Sequence, residues 1–223
     1  MISDLKLFCS QVMLDTALEQ SFAQVLLSNR ALTVPLRTVT TQVQNIPNGS
    51  TSFQISLVSV LSWVNAIFVT FTFGDGQHSH PVASFGNPSA VLAGGGAAAH
   101  NHQELTLSMQ CQLGSRLSPE TEITSAGEFM ANLAEALDTY DQSIRTIAIT
   151  PSMYKNNSFI AGFNLMRAPV HFATGLSTRT DDLLSIKCKN LNPGAAFNHT
   201  RVHVSVLYEG VLELEESGAS FYD

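Results

Sequence analysis

The chain has 223 residues, of which 44% are hydrophobic and only 13% charged against the roughly 25% usual for globular proteins, so it suits one large β domain whose surface rests against other protein. A formal net charge of -7 without any Lys/Arg cluster excludes broad phosphate neutralisation, so no direct nucleic-acid binding is expected. Cys9, Cys111 and Cys188 are odd in number and far apart, which excludes a disulfide framework and fits a reducing compartment. No signal-peptide pattern opens the chain and no apolar run reaches membrane-span length, so a soluble, unexported protein is expected.

Residues 4–14 (DLKLFCSQVML) alternate loosely and predict a first strand. Asp15 then caps a helix predicted over 16–27, whose Leu18, Phe22, Val25 and Leu26 share one face, and Asn29 and Arg30 end it. The stretch LTVPLRTVTTQVQ is rich in β-branched residues, and Pro35, which cannot donate to a ladder, assigns that strand to an edge or a bulge. Asn45-Ile46-Pro47-Asn48-Gly49-Ser50 has the composition of a turn. Strands follow at 51–57 and 63–73, the second (WVNAIFVTFTF) so continuously apolar that it should be central. From 75 to 102 the chain carries Pro81, Pro88, Gly94-Gly95-Gly96 and Ala97-Ala98-Ala99 with no stable period, which predicts a long functional or assembly-ordered loop.

Alternation returns in LTLSMQCQL, where Cys111 reads as a core position, as does Cys188 further on. The segment 114–120 then breaks the strand, and a helix is predicted over 125–139. Phe129, Leu133, Ala136 and Leu137 align on it, and Glu128 stands three residues after Ser125 as in a capping box. Further strands are predicted at 144–150, 158–165, 183–189 and 201–214. About nine strands and two short helices without regular alternation argue against a parallel α/β sheet. The expected fold is an all-β, jelly-roll β-sandwich of antiparallel strands, a single domain over 1–223 with its Gly/Ala-rich loop.

Candidate chemistry is sparse. His78 and His80 form one H-x-H pair and His100 and His102 another, a pattern that lets alternate strand residues ligate one metal as in a cupin. Both pairs fall in or beside the predicted loop, and the glutamate and later histidine of a cupin centre are absent at a convincing spacing, so solvated loop histidines are the competing reading. His203 alternates with Val202 and Val204 as a solvent-face or interface residue. There is no G-x-S-x-G and no phosphate-cradling glycine loop, and Glu213, Glu215 and Glu216 read as a solvated strand face. Trp63 and the Phe residues lack interleaved Lys or Arg and read as core. No enzyme activity and no cofactor are expected.

The run MQCQLGSRLSPETEITSAGEFMANLAEAL resembles a stretch of double jelly-roll major capsid proteins, particularly those of Polinton/Maverick and adintovirus-like elements and related large DNA viruses. Gly114, Ser115, Pro119, Glu120, Glu128, Phe129 and Leu133 stand at the positions of that family's strand–turn–helix pattern. VPLRTVTTQVQNIPNGSTSFQISLVSVLSWVNAIFVTF upstream is similar to its x-P-x-R-T turn, polar hairpin and V-F-V-T-F strand. YKNNSFIAGFNLMRA, FATGLSTRTDDLLSIKCKN and the terminal LELEESGASFYD keep the family's order. Members commonly carry two jelly rolls, and this chain resembles the second with the segment leading into it; it is either a fragment or short form, or its partner roll is encoded separately.

The resemblance implies a structural role in a virion capsid, made in the host cytoplasm or nucleus. Lateral jelly-roll contacts would assemble the chain with itself into a trimeric or hexameric capsomer, with a second capsid jelly-roll protein as a further partner, and then into an icosahedral shell. Strand faces rich in neutral polar residues suit such wet contacts without charge desolvation, and Thr38, Thr40, Gln42, Gln44, Gln110 and Gln112 are the candidates. The rival readings are a cellular β-sandwich that binds a glycan or protein ligand, using Trp63 and loop polar residues, and a cupin-type metal protein.

Overall fold

The computed structural model describes residues 13–28, 30–47, 49–57, 61–73, 107–137, 149–156, 158–166, 175–178, 183–191, 199–215 and 217–222. The predicted opening strand up to residue 12, the loop at 75–102 with its four histidines, Cys9 and most of the predicted strand at 144–150 lie outside them. The described residues divide into two compact units, Leu36–Gly210 and the flanking chain up to Pro35 together with Val211–Tyr222.

Nine strands and three helices are described: α1 (Thr16–Leu27), β1 (Leu32–Asn45), β2 (Ser52–Leu57), β3 (Trp63–Phe73), β4 (Ser108–Leu113), β5 (Arg116–Ile123), α2 (Ala126–Ala136), α3 (Pro151–Asn156), β6 (Ala161–Asn164), β7 (Leu184–Lys189), β8 (His199–Glu215) and β9 (Gly218–Tyr222). Sheet A has the order β1-β8-β3-β6, with β9 added beside β8, and sheet B has the order β2-β7-β4-β5. From β1 to β8 each consecutive strand changes sheet except across the β4–β5 hairpin. That weave, with β2–β7, β3–β6, β3–β8, β4–β5 and β4–β7 all paired antiparallel, is a jelly roll.

In the unit Leu36–Gly210, period-two alternation sends one face of each inner strand into the core. Ile67, Val69 and Phe71 of β3 and Val202, Val204 and Val206 of β8 meet Ile55, Met109, Cys111, Ile186 and Cys188 of sheet B, all buried. The central place predicted for the 63–73 strand holds, since β3 lies between β8 and β6. Cys111 and Cys188 are free and buried, and burial pushes the Cys111 thiol up to about 12 and the Cys188 thiol higher still. Neither is a nucleophile in that setting.

The helix α2 starts where the capping box predicts: Ser125 Oγ accepts from Glu128 N–H, and Glu128 Oε2 accepts from the Ser125 and Thr124 N–H groups. These bonds hold the Glu128 carboxyl below the ordinary carboxylate value. Phe129 meets Phe159 edge-on at 5.3 Å, and Phe159 also packs against Tyr154 at 5.4 Å and Phe71 at 6.3 Å, tying α2 to α3 and β3. Tyr154 is buried, its hydroxyl donating to Ile160 O at 2.6 Å. Leu133 sits against Gly162 of β6, where an added Cβ would lie 2.8 Å from Leu133 Cα, so only glycine lets helix and strand approach this closely. Leu137, predicted to align with the core, is 41% exposed because α2 ends at Ala136 and Leu137 caps it outside the last turn.

Two elements depart from expectation. Residues 116–120 of the segment read as a break at 114–120 belong to the strand β5: Gly114, at φ +55°, and Ser115 turn the chain tightly enough to bring Leu113 opposite Arg116. The helix α3 begins at Pro151, where proline suits a first helical position whose N–H needs no partner.

In the other unit, Asp15 Oδ1 accepts from Thr16 N–H at 2.8 Å and caps α1 as predicted. No residue of α1 is buried. The hairpin of β8 and β9, unforeseen in the sequence, pairs Leu212 with Phe221 and Leu214 with Ala219 on one face, and Glu213 with Ser220 on the other.

Replacing Phe129 by Ala is expected to cost about 3–5 kcal/mol, read from chemical denaturation, and Gly162→Ala about 1–3 kcal/mol through overpacking against the α2 backbone.

Candidate assembly surface

Strand β1 forms one edge of sheet A, and β2 one edge of sheet B. Along β1, Thr38, Thr40, Gln42 and Gln44 are half-buried, while Val39 and Val43 are 56% and 51% exposed. The alternation is therefore inverted in polarity: the polar row turns toward the sandwich and the branched apolar row turns out. Gln42 and Gln44 each donate a side-chain N–H to Ser56 O of β2, at 3.2 and 3.1 Å. The two amides bridge the sheets at this edge and satisfy a backbone acceptor of an edge strand.

Gln110 does similar work at the opposite edge of sheet B. The β4–β5 register jumps from Met109 opposite Ile123 to Cys111 opposite Ser118, so residues 119–122 of β5 bulge away from the ladder. Pro119 has no N–H to give, and the carbonyls of Pro119 and Glu120 instead accept from Gln110 Nε2 at 3.1 and 3.0 Å. Gln112 donates to Gly114 O at 2.8 Å and so supports the hairpin turn. The motif residues Gly114, Ser115, Pro119 and Glu120 thus build the turn and the bulge, while Glu128, Phe129 and Leu133 start and anchor α2. Of the contact candidates, all four glutamines hydrogen-bond to backbone carbonyls of their own chain.

Sequence reasoning missed two groupings. Arg37 Nε donates to Glu209 Oε1 at 3.1 Å, which joins β1 to β8; the carboxylate is 1% exposed. Thr41 and Ser205 share a hydrogen bond of 2.9 Å, a second tie between the two strands. His203 Nε2 in turn hydrogen-bonds Thr72 Oγ1 of β3 at 2.9 Å. The outer face of sheet A is therefore a mat of Val, Thr, Ser and His. An x-P-x-R-T signal pointed to Arg37, but its partner lies far along the chain.

On sheet B, Glu122 accepts from Lys189 Nζ and, at 2.6 Å, from Ser108 Oγ. These bonds, the lysine's first, hold its carboxyl below the ordinary value. Asn65 of β3 stands apart: it is buried, and among the described residues neither its Oδ1 nor its Nδ2 finds a hydrogen-bond partner. Gly175 packs against it, with an added Cβ 2.7 Å from Asn65 Oδ1. Among the described residues there is no group of three or more His, Cys, Asp and Glu side chains placed to hold a metal, and no helix long and apolar enough to cross a membrane. Trp63 is half-buried at the start of β3.

Strand order and crossing connections define the molecule as a jelly-roll β-sandwich. Solved structures of the same fold are capsid chains. The PBCV-1 VP54 structure fitted into a reconstruction of the virophage Sputnik matches 93% of this chain with a TM-score of 0.56 at 14% identity. The quasi-atomic PBCV-1 virus capsid matches 93% with a TM-score of 0.54, also at 14% identity. In both cases the match spans 54% of the capsid chain, so this sequence corresponds to about half of it. No protein-family model and no curated protein sequence matches the chain.

Because Glu122 titrates below its unfolded value of 4.5, its contribution to stability is complete above that pH and is lost as the pH falls through the lowered folded value. The stability gap between the parent and Glu122→Gln should therefore narrow from pH 4.5 downward, measured by urea denaturation at stepped pH. A gap that stays constant down to about pH 3 would refute the assignment.

Proposed function

We propose that this chain is a structural subunit of a viral capsid, or of a capsid-like protein retained in a host genome, and that it has no catalytic role. The observation that carries the reading is the strand order β1-β8-β3-β6 over β2-β7-β4-β5, together with its likeness along 93% of the chain to PBCV-1 capsid chains. The outer face of sheet A supports it. Neutral hydroxyls and half-exposed valines bury against a neighbour with little charge desolvation, as the repeated contacts of a shell require. The half-buried row Thr38, Thr40, Gln42 and Gln44 forms the margin of that contact, and Gln110 and Gln112 hold the far edge in shape.

In this reading the chain associates laterally into capsomers, trimeric or hexameric, and these build an icosahedral shell in the virion. The match spans 54% of each capsid chain, so the sequence supplies one roll, and the roll beside it belongs to a longer form of the same chain, to another copy or to a second capsid protein. The motif residues Gly114, Ser115, Pro119, Glu120, Glu128, Phe129 and Leu133 favour the Polinton and adintovirus-like lineage as its source.

Electron microscopy of the purified protein, with light scattering in parallel, tests the reading. Trimeric or hexameric capsomers, or closed shells, are expected. A monomer that persists at high concentration across a range of pH and salt would overturn it.

A further inference from the structure

We propose that Gly175–Thr178 is a releasable strap: it closes over Asn65 at the leading end of β3, leaves that side chain's amide unbonded, and opens without the rest of the sandwich unfolding.

Backbone pairing holds the strap down. Val64 N–H donates to Leu176 O at 2.8 Å and Leu176 N–H returns to Val64 O at 3.0 Å, an isolated antiparallel bridge. Two residues on, Thr178 N–H donates to Leu61 O at 2.8 Å, and Thr178 Oγ1 accepts from Leu61 N–H at 2.7 Å. The strap thus pairs with residues 61–64 as β6 pairs with residues 66–69 further along.

Asn65 opposes the closure. The register of β3 against β8 shifts between Val64 and Ala66, and Asn65 is the residue it passes over. Asn65 is 1% exposed, and neither Oδ1 nor Nδ2 has a hydrogen-bond partner among the described residues. Gly175 lies directly on it: an added Cβ would stand 2.7 Å from Asn65 Oδ1, 2.7 Å from Val64 O and 2.6 Å from the carbonyl carbon of Trp63. A buried amide without a partner keeps the cost of its lost water, so the backbone bonds that close the strap work against the group beneath it. On release, water takes the amide together with the freed N–H and carbonyl groups of Leu61 and Val64.

The surroundings make this end the weak one. Ser62, Asn65 and Thr178 are buried here, as is Glu209, which stands opposite Trp63, whereas Ile67, Val69 and Phe71 further along β3 enter the apolar core. Leu176 is the strap's one apolar side chain that packs against that core. A segment with so little apolar contact opens locally, at a lower cost than global unfolding.

Residue-level hydrogen exchange on the full chain tests the strap. The amides of Val64, Leu176 and Thr178 should exchange about a hundredfold or more faster than those of Val69 and Ile186. Asn65→Leu keeps the branched outline of the side chain without its polar atoms and should slow the three strap amides about tenfold or more, while Asn65→Asp should speed them. Gly175→Ala, whose Cβ meets backbone, should also speed them and leave Val69 and Ile186 protected. Strap amides as slow as those of the core overturn the proposal. So does Asn65→Leu if it leaves their exchange unchanged or faster, since the amide then has a partner in the closed strap. If Asn65→Leu does not fold, strap exchange unmoved by Asn65→Asp overturns it equally.

Discussion

A two-sheet sandwich leaves the outermost strand of each sheet with one row of backbone groups unpaired, and the unit Leu36–Gly210 depends on how those edges are closed. It closes them with side-chain amides and one helix. Gln42 and Gln44 reach from β1 to the Ser56 carbonyl of β2, so one amide pair ties both sheets on that side. At β5 the ladder fails around Pro119, and the Gln110 amide takes the carbonyls it leaves. At β6, α2 lies against Gly162, and Asn164 donates to Glu135 of that helix. Neutral amides suit half-buried edges because desolvating them costs less than desolvating a charge.

Edge closure also accounts for part of the composition. A chain that seals itself with glutamines carries few charges and many polar residues even before it meets a neighbour. The low charge therefore has two sources: amides turned inward to the chain's own carbonyls, and the hydroxyl-rich outer face of sheet A. Only the second is available to a partner, and that distinction moves attention from Gln42 to Val43.

The helices α1 and α2 and the central strand β3 were legible because their signals are local. Asp15 and the Ser125–Glu128 box mark helix starts within a single turn, and β3 is apolar along its whole length. Strand β5 was not legible, since Pro119 and Glu120 interrupt alternation and resemble a turn until the Gln110 amide from the neighbouring strand is seen to hold the bulge. Strand β9 is short, and its register depends on β8. The facing of β1 was hidden for a related reason: alternation says which residues share a face but not which face is inward, and the deciding partner, Ser56, lies beyond an intervening turn. The Arg37–Glu209 pair was beyond reach because its members stand 172 residues apart.

The same reasoning bears on how copies of one roll relate to each other. The match to each PBCV-1 capsid chain spans 54% of that chain, so the roll described here corresponds to about half of it. A two-fold contact uses one patch twice and requires that patch to be self-complementary. The flanking unit is not, because among its described residues it carries Asp15, Glu19, Glu213 and Glu215 against Arg30, and its carboxylates would face their own copies.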